Sequence, residues 1–148
     1  MSMAARLALL AAAALTCAGA AAAEFRSVAE PAAVLYDAPS RAARPLWIVS
    51  RHYPLEVIVN LEAWVKVRDA AGALSWIEKK ALGYRRMVLV TATLAEARAR
   101  PEEAAPVAFS AAQNVALELL EISPNGWLRV RHADGASGYL RAALVWGS

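Results

Sequence analysis

His52 and His132 are the only imidazoles in this chain. Nucleophilic catalysis needs such a base beside a Ser, Thr or Lys, and neither histidine lies in a recognisable motif. His52 stands next to Tyr53 in a loop, and His132 follows a strand far along the chain. A structural or catalytic metal site asks for three or four clustered His, Cys or carboxylate ligands, which two separated histidines do not supply. Glu102 and Glu103 are adjacent in a loop, and adjacency does not by itself divide acid from base. No glycine-rich phosphate loop is present. The residues therefore point to no catalytic group, no metal site and no cofactor, and the chain reads as a non-enzyme.

The aromatic residues are the better lead. Trp47, Tyr53, Trp64 and Trp76 fall in the first half, and Trp127, Tyr139 and Trp146 in the second. Large rings dominate the packing of small cores, and their flat faces with polar tips also grip extended peptides or sugar faces. The candidate ligand-binding residues are Tyr53, Trp64 and Trp76, with Trp127 and Tyr139 as their equivalents in the second half.

The elements that hold these rings follow a segment of different character. Met1 to Ala23 carries Arg6, the apolar run "LALLAAAALTCAGA" and a small-residue exit "AAA" before Glu24. That is the pattern of a secretory signal peptide, too short to span a bilayer comfortably. The expected cleavage falls at Ala23–Glu24. Cys17, the only cysteine, would leave with it. Ala14 and Thr16 fit a lipoprotein signal poorly. The remaining chain of about 125 residues suits one ordinary domain or two very small ones. Losing Arg6 lowers the net charge from +3 to +2, and the basic doublets Lys79–Lys80 and Arg85–Arg86 are too isolated for a nucleic-acid surface. No later stretch is long enough for a membrane span. The expected location is the periplasm.

Beyond Glu24 the chain alternates β-rich runs with turn signals, which reads as an all-β protein. "WVKVRD" (64–69) sets Trp, Lys and Arg against valines with a period of two. Val65 and Val67 are expected inside, Lys66 and Arg68 outside, and Trp64 at the rim. "LAEARARPEEAAP" (94–106) has helical propensity interrupted by Pro101, and reads as a long polar loop with room for one helical turn. "GYLRAALVW" (138–146) reads as one closing strand.

The phrase "WVKVRDAAGALSWI" (64–77) returns as "WLRVRHADGASGYL" (127–140), an offset of 63, whereas "LEVI" (55–58) returns as "LELL" (117–120) at 62. One extra residue therefore sits in the Pro124–Asn125–Gly126 turn, where a structural repeat tolerates insertion. The alignment also turns the helix-like "LELLEI" into a strand, because its partner is rich in β-branched residues. The expected units are 24–84 and 85–148, after a signal segment at 1–23.

The order of strand, Trp, basic–Val–Arg, Gly turn and Trp–Ile resembles bacterial SH3-like (SH3b) domains. "PLWIVSRHYPLEVI", "SWIEKKAL" and "RRMVLVTAT" are similar to exported tandem SH3-like proteins, over about Val34 to Trp146. The usual glycine-bearing loop is replaced here by "YDAPSRAARP" (36–45) and "ARARPEEAAP" (97–106). The resemblance implies two tandem small SH3-like β-barrels after an N-terminal signal helix. It implies recognition of a peptide or a peptidoglycan component. The alternative is a scaffold or accessory module docking on another periplasmic protein. A hydrolase or regulatory subunit would need His52 or His132 gathered with a Ser and a carboxylate. Mass spectrometry of the exported chain should give Glu24 as its first residue; an intact Met1 would contradict the signal-peptide reading.

Overall fold

The computed structural model describes residue 19 and residues 21–148. The expected signal segment, with Cys17, lies almost wholly outside the described residues. Among those residues no helix is long and apolar enough to cross a membrane.

From Phe25 onward the described chain is β-structure and short 3-10 turns. The first set of strands is β1 (Phe25–Val28), β2 (Ala32–Tyr36), β3 (Pro45–Ser50), β4 (Pro54–Asn60), β5 (Trp64–Arg68), β6 (Leu74–Glu78) and β7 (Leu82–Gly83). The second is β8 (Met87–Val90), β9 (Leu94–Arg98), β10 (Val107–Ala112), β11 (Ala116–Ile122), β12 (Trp127–Arg131), β13 (Ser137–Arg141) and β14 (Val145–Trp146). Each set forms one antiparallel sheet, in the orders β3-β2-β6-β5-β4-β1-β7 and β10-β9-β13-β12-β11-β8-β14. The second order is the first with seven added to every strand number. Each ladder has two ends, β3 and β7 or β10 and β14.

The strand boundaries repeat at 62 residues through β4 and β11 and at 63 from β5 and β12 onward. The step lies in the expected turn. Leu61 N–H reaches Trp64 O across a shorter turn than the one Ser123 N–H closes on Trp127 O, both at 2.9 Å. The longer turn places Asn125 at φ 63° and Gly126 at φ 80°, the region those two residues tolerate best. A β-bulge recurs at Val57–Val59 and Leu119–Glu121.

Period-two burial explains why each sheet curves around its own core. Val65, Val67 and Ile77 are fully buried, as are their counterparts Leu128, Val130 and Leu140. Lys66 and Arg68 point outward, as expected from the alternation. Val28, Leu35, Val49, Leu55 and Leu82 complete the first core from five further strands. One sheet supplies the strands on all sides of that core and must wrap to do so.

Three expectations are corrected. Residues 94–98 are a strand rather than part of a loop. Ala95 and Ala97 face inward and Leu94 and Glu96 outward, so alternation and pairing to β10 override helix propensity. The closing strand is broken by a 3-10 turn at Ala142–Leu144 that separates β13 from β14. Strand β1 was not expected at all: it is four residues long and buries Arg26 and Ser27, so it shows no hydrophobic run.

The junction between the sheets joins β1, residues 84–86 and β14. Ser27 Oγ donates to Arg85 O at 2.7 Å. Phe25 meets Trp146 edge-on at 5.1 Å. The Arg26 guanidinium lies 4.0 Å above the Tyr84 ring, and Arg86 donates to Gly147 O at 3.0 Å.

Gly138 is a packing constraint of the second unit. A Cβ there would stand 2.9 Å from Arg98 O and 3.0 Å from Ala97 Cβ, closer than real side chains approach. Gly138→Ala should lower stability by about 1–3 kcal/mol in urea unfolding, the usual cost of overpacking. An unchanged midpoint would show that β9 and β13 yield freely.

Candidate binding site

The outward positions of β2, β6 and β5 form one aromatic platform in the first unit. Tyr36 is the cross-strand partner of Trp76, and Trp76 is the partner of Lys66. Tyr36 also packs edge-to-face on Trp64 at 5.6 Å. Lys66 Nζ lies 6.0 Å from the Trp76 ring centre. Trp64 is half-buried and opens onto a groove of about 590 Å³, lined also by Arg41, Glu78, Lys79 and Lys80.

The sequence candidates do not share one site. Trp64 and Trp76 stand on this platform. Tyr53 lies elsewhere, packed on the first core and lining a separate groove between the two units. Burial pushes its phenol up, with a smaller opposing effect from the Ala70 backbone. Tyr36 belongs to the platform and was missed, because it reads as the last residue of an apolar strand. The period-two pattern of Ala32–Tyr36 was the signal that could have placed it outward.

The second unit uses the same positions differently. Trp127 takes the place of Trp64 but is only 5% exposed. The Arg141 guanidinium covers it, 4.2 Å from the ring centre, and donates to Glu103 Oε1 and Asn125 O. Arg141 stands where the first unit has Glu78, and Glu103 where it has Arg41. The first unit pairs Arg41 with Glu78. The same loop is thus tied to the same strand end in both units, with the charges exchanged. Tyr139 remains half-buried opposite Arg98, the counterpart of Tyr36. Lys79 and Lys80 are replaced by Ala142 and Ala143.

The two histidines line one narrow cleft of about 230 Å³ with Arg85, Glu118 and Arg131. His132 Nδ1 accepts from the Asp134 backbone N–H at 3.1 Å, as the carboxylate of Asp69 caps the matching turn in the first unit. His52 has φ 74°, and its counterpart Asn114 has φ 69°, so both occupy the same left-handed turn position. Among the described residues no group of three or more His, Cys, Asp or Glu side chains is arranged to hold a metal ion.

Glu118 accepts from Arg85 at 3.0 Å and from Arg131 at 2.7 Å. Those hydrogen bonds, Arg85 first, hold its carboxyl below the usual range. Arg41 does the same to Glu78.

A family model described as a bacterial SH3 domain matches residues 29–83 and again residues 91–147. The chain therefore belongs to the bacterial SH3 domain family, with two tandem copies of that domain. No curated protein matches it. Among solved structures it is similar to NlpC2 from Trichomonas vaginalis, at 16% identity over 85% of this chain and 48% of that one, with a TM-score of 0.39. It is also similar to an NlpC/P60 family protein from Bacillus cereus ATCC 10987, at 19% identity over 82% and 55% of the respective chains, with a TM-score of 0.38. The chain spans about half the length of these structures.

Glu118 yields a pH prediction. A carboxyl held low in the folded state stabilises above its unfolded pKa, about 4.3 for Glu, and the contribution disappears as pH falls through the folded value. Wild-type stability should fall from about pH 5 downward, and Glu118→Gln should flatten that fall. Equal urea midpoints ratios between pH 6 and pH 3 in both proteins, at roughly those carboxylate-bracketing pH values, would contradict the assignment.

Proposed function

We propose that this chain is a non-enzymatic binding module of the cell envelope, exported to the periplasm, whose first SH3 domain recognises a peptide or the peptide part of a peptidoglycan component. The observation that carries this reading is the contrast between the two equivalent indoles. Trp64 opens onto a groove with Tyr36 braced against it, whereas Trp127 is covered by Arg141 of its own domain. A half-buried aromatic face open to a groove beside charged groups offers both stacking area and orienting hydrogen bonds. Membership of a family of SH3 domains supports a binding role over a catalytic one. The position of β1 supports export: it begins at Phe25, so cleavage after Ala23 would remove none of the described strands.

In this reading the second domain braces the first. Its indole is engaged internally, and its β14 packs Trp146 on Phe25 of β1.

The test is retention on purified peptidoglycan sacculi, followed by an NMR titration with muropeptides that watches the indole N–H signals. The expected result is movement of the Trp64 signal with Trp127 unmoved. Trp64→Ala should weaken binding by about tenfold or more, the scale of an interface anchor, while the melting transition survives. Movement of Trp127 alone, or full binding by Trp64→Ala, would refute the reading.

A further inference from the structure

Strand β3 carries a second binding surface that the aromatic platform does not use. It ends its ladder and pairs with β2 alone among the described strands, so its outer edge has no strand partner, and only Ser50 O at its end is taken, by Tyr53 N–H at 3.2 Å. Proteins normally protect such an edge with charge, proline or a covering segment. Here Pro45 guards only the start, and the next five residues, Leu46 to Ser50, carry no charge. Trp47 is 59% exposed and Ile48 76% exposed. The matching strand of the second unit is blunted: Phe109 folds back on its core and onto His132, 5.8 Å between ring centres.

The edge is also part of a groove. Ile48 to Arg51 line the inter-unit groove of about 620 Å³, together with Tyr53 of the first unit and Leu89, Thr91 and Gln113 of the second. That volume is in the range of formed ligand sites. The strand is bracketed by Arg44, which lies 3.8 Å from Asp37 and stays largely exposed, and by Arg51, whose Nε donates to Ala29 O at 3.1 Å and leaves its other nitrogens for a ligand. Arg51 is the only charged residue lining the groove among those described.

We propose that β3 takes up an extended segment of a partner protein as an added strand, with an apolar centre and a carboxylate at each end. Backbone hydrogen bonds to the free edge would give affinity, and Trp47 and Ile48 would select apolar side chains. The two arginines argue against a second copy of this chain as the occupant. Antiparallel pairing of β3 with itself would set Arg44 against Arg51 at both ends, a like-charge juxtaposition that opposes association.

The test uses the full chain and two synthetic peptides with the same alternating Val-Thr core, one flanked by glutamates and one by lysines. The expected result with the glutamate peptide is new protection of β3 amides from hydrogen exchange, at least tenfold tighter binding than the lysine peptide, and loss of binding in Ile48→Lys. Ile48 is exposed, so that variant should keep the wild-type circular dichroism and melting transition; Trp47→Ser gives a second probe of the same edge. Equal binding of both peptides, protection elsewhere than β3, no protection, or self-association through β3 in sedimentation would each overturn the proposal. Muropeptide binding at Trp64 is independent of all these outcomes.

Discussion

A sheet of about sixty residues with one apolar face must curl around that face, because a unit of this size buries too little surface to waste any. The alternation of inward valines and leucines with outward polar and aromatic residues is the constraint on which both units rest. Val65, Val67 and Ile77, and then Leu128, Val130 and Leu140, fill the inner positions of matching strands. Once those positions are committed, residues 36, 64, 66 and 76 are necessarily brought together on the outer face. The aromatic platform is thus a consequence of core packing, and its composition is free to change without touching the core.

The second unit shows how far that freedom goes. The inner residues stay apolar, while Tyr36 becomes Arg98 and Trp76 becomes Tyr139 at the outer positions. The exchanged pair, Arg41–Glu78 against Glu103–Arg141, keeps the mechanical link between loop and strand and alters what the link does. With arginine at the strand end, the guanidinium reaches the neighbouring indole and covers it. With glutamate there, the indole face remains open. The reversal of polarity accompanies a change from a groove of about 590 Å³ at Trp64 to one of about 190 Å³ at Trp127.

Much of the fold was legible because period two is visible in runs such as "WVKVR" and because the repeat transferred that certainty to "LELLEI". Strand β9 was hidden because alanine and glutamate favour helices in isolation, and only pairing to β10 reveals their alternation. Strand β1 was hidden because it buries Arg26 and Ser27, which meet the Tyr84 ring and Arg85 O at the junction, in place of a run of apolar residues. For the site, ring types were visible but their faces were not. Tyr53 and Trp64 look alike as isolated aromatics and lie on different surfaces. Trp64 and Trp127 align in sequence and differ in exposure because of a residue fourteen positions on, Glu78 or Arg141.

The unequal access of two aligned tryptophans is the central claim, and hydroxyl-radical footprinting with mass spectrometry measures it without any ligand. Trp64 is expected to oxidise several times faster than Trp127 in the native chain, with the two rates converging on unfolding. Equal native rates, or faster oxidation of Trp127, would contradict the account.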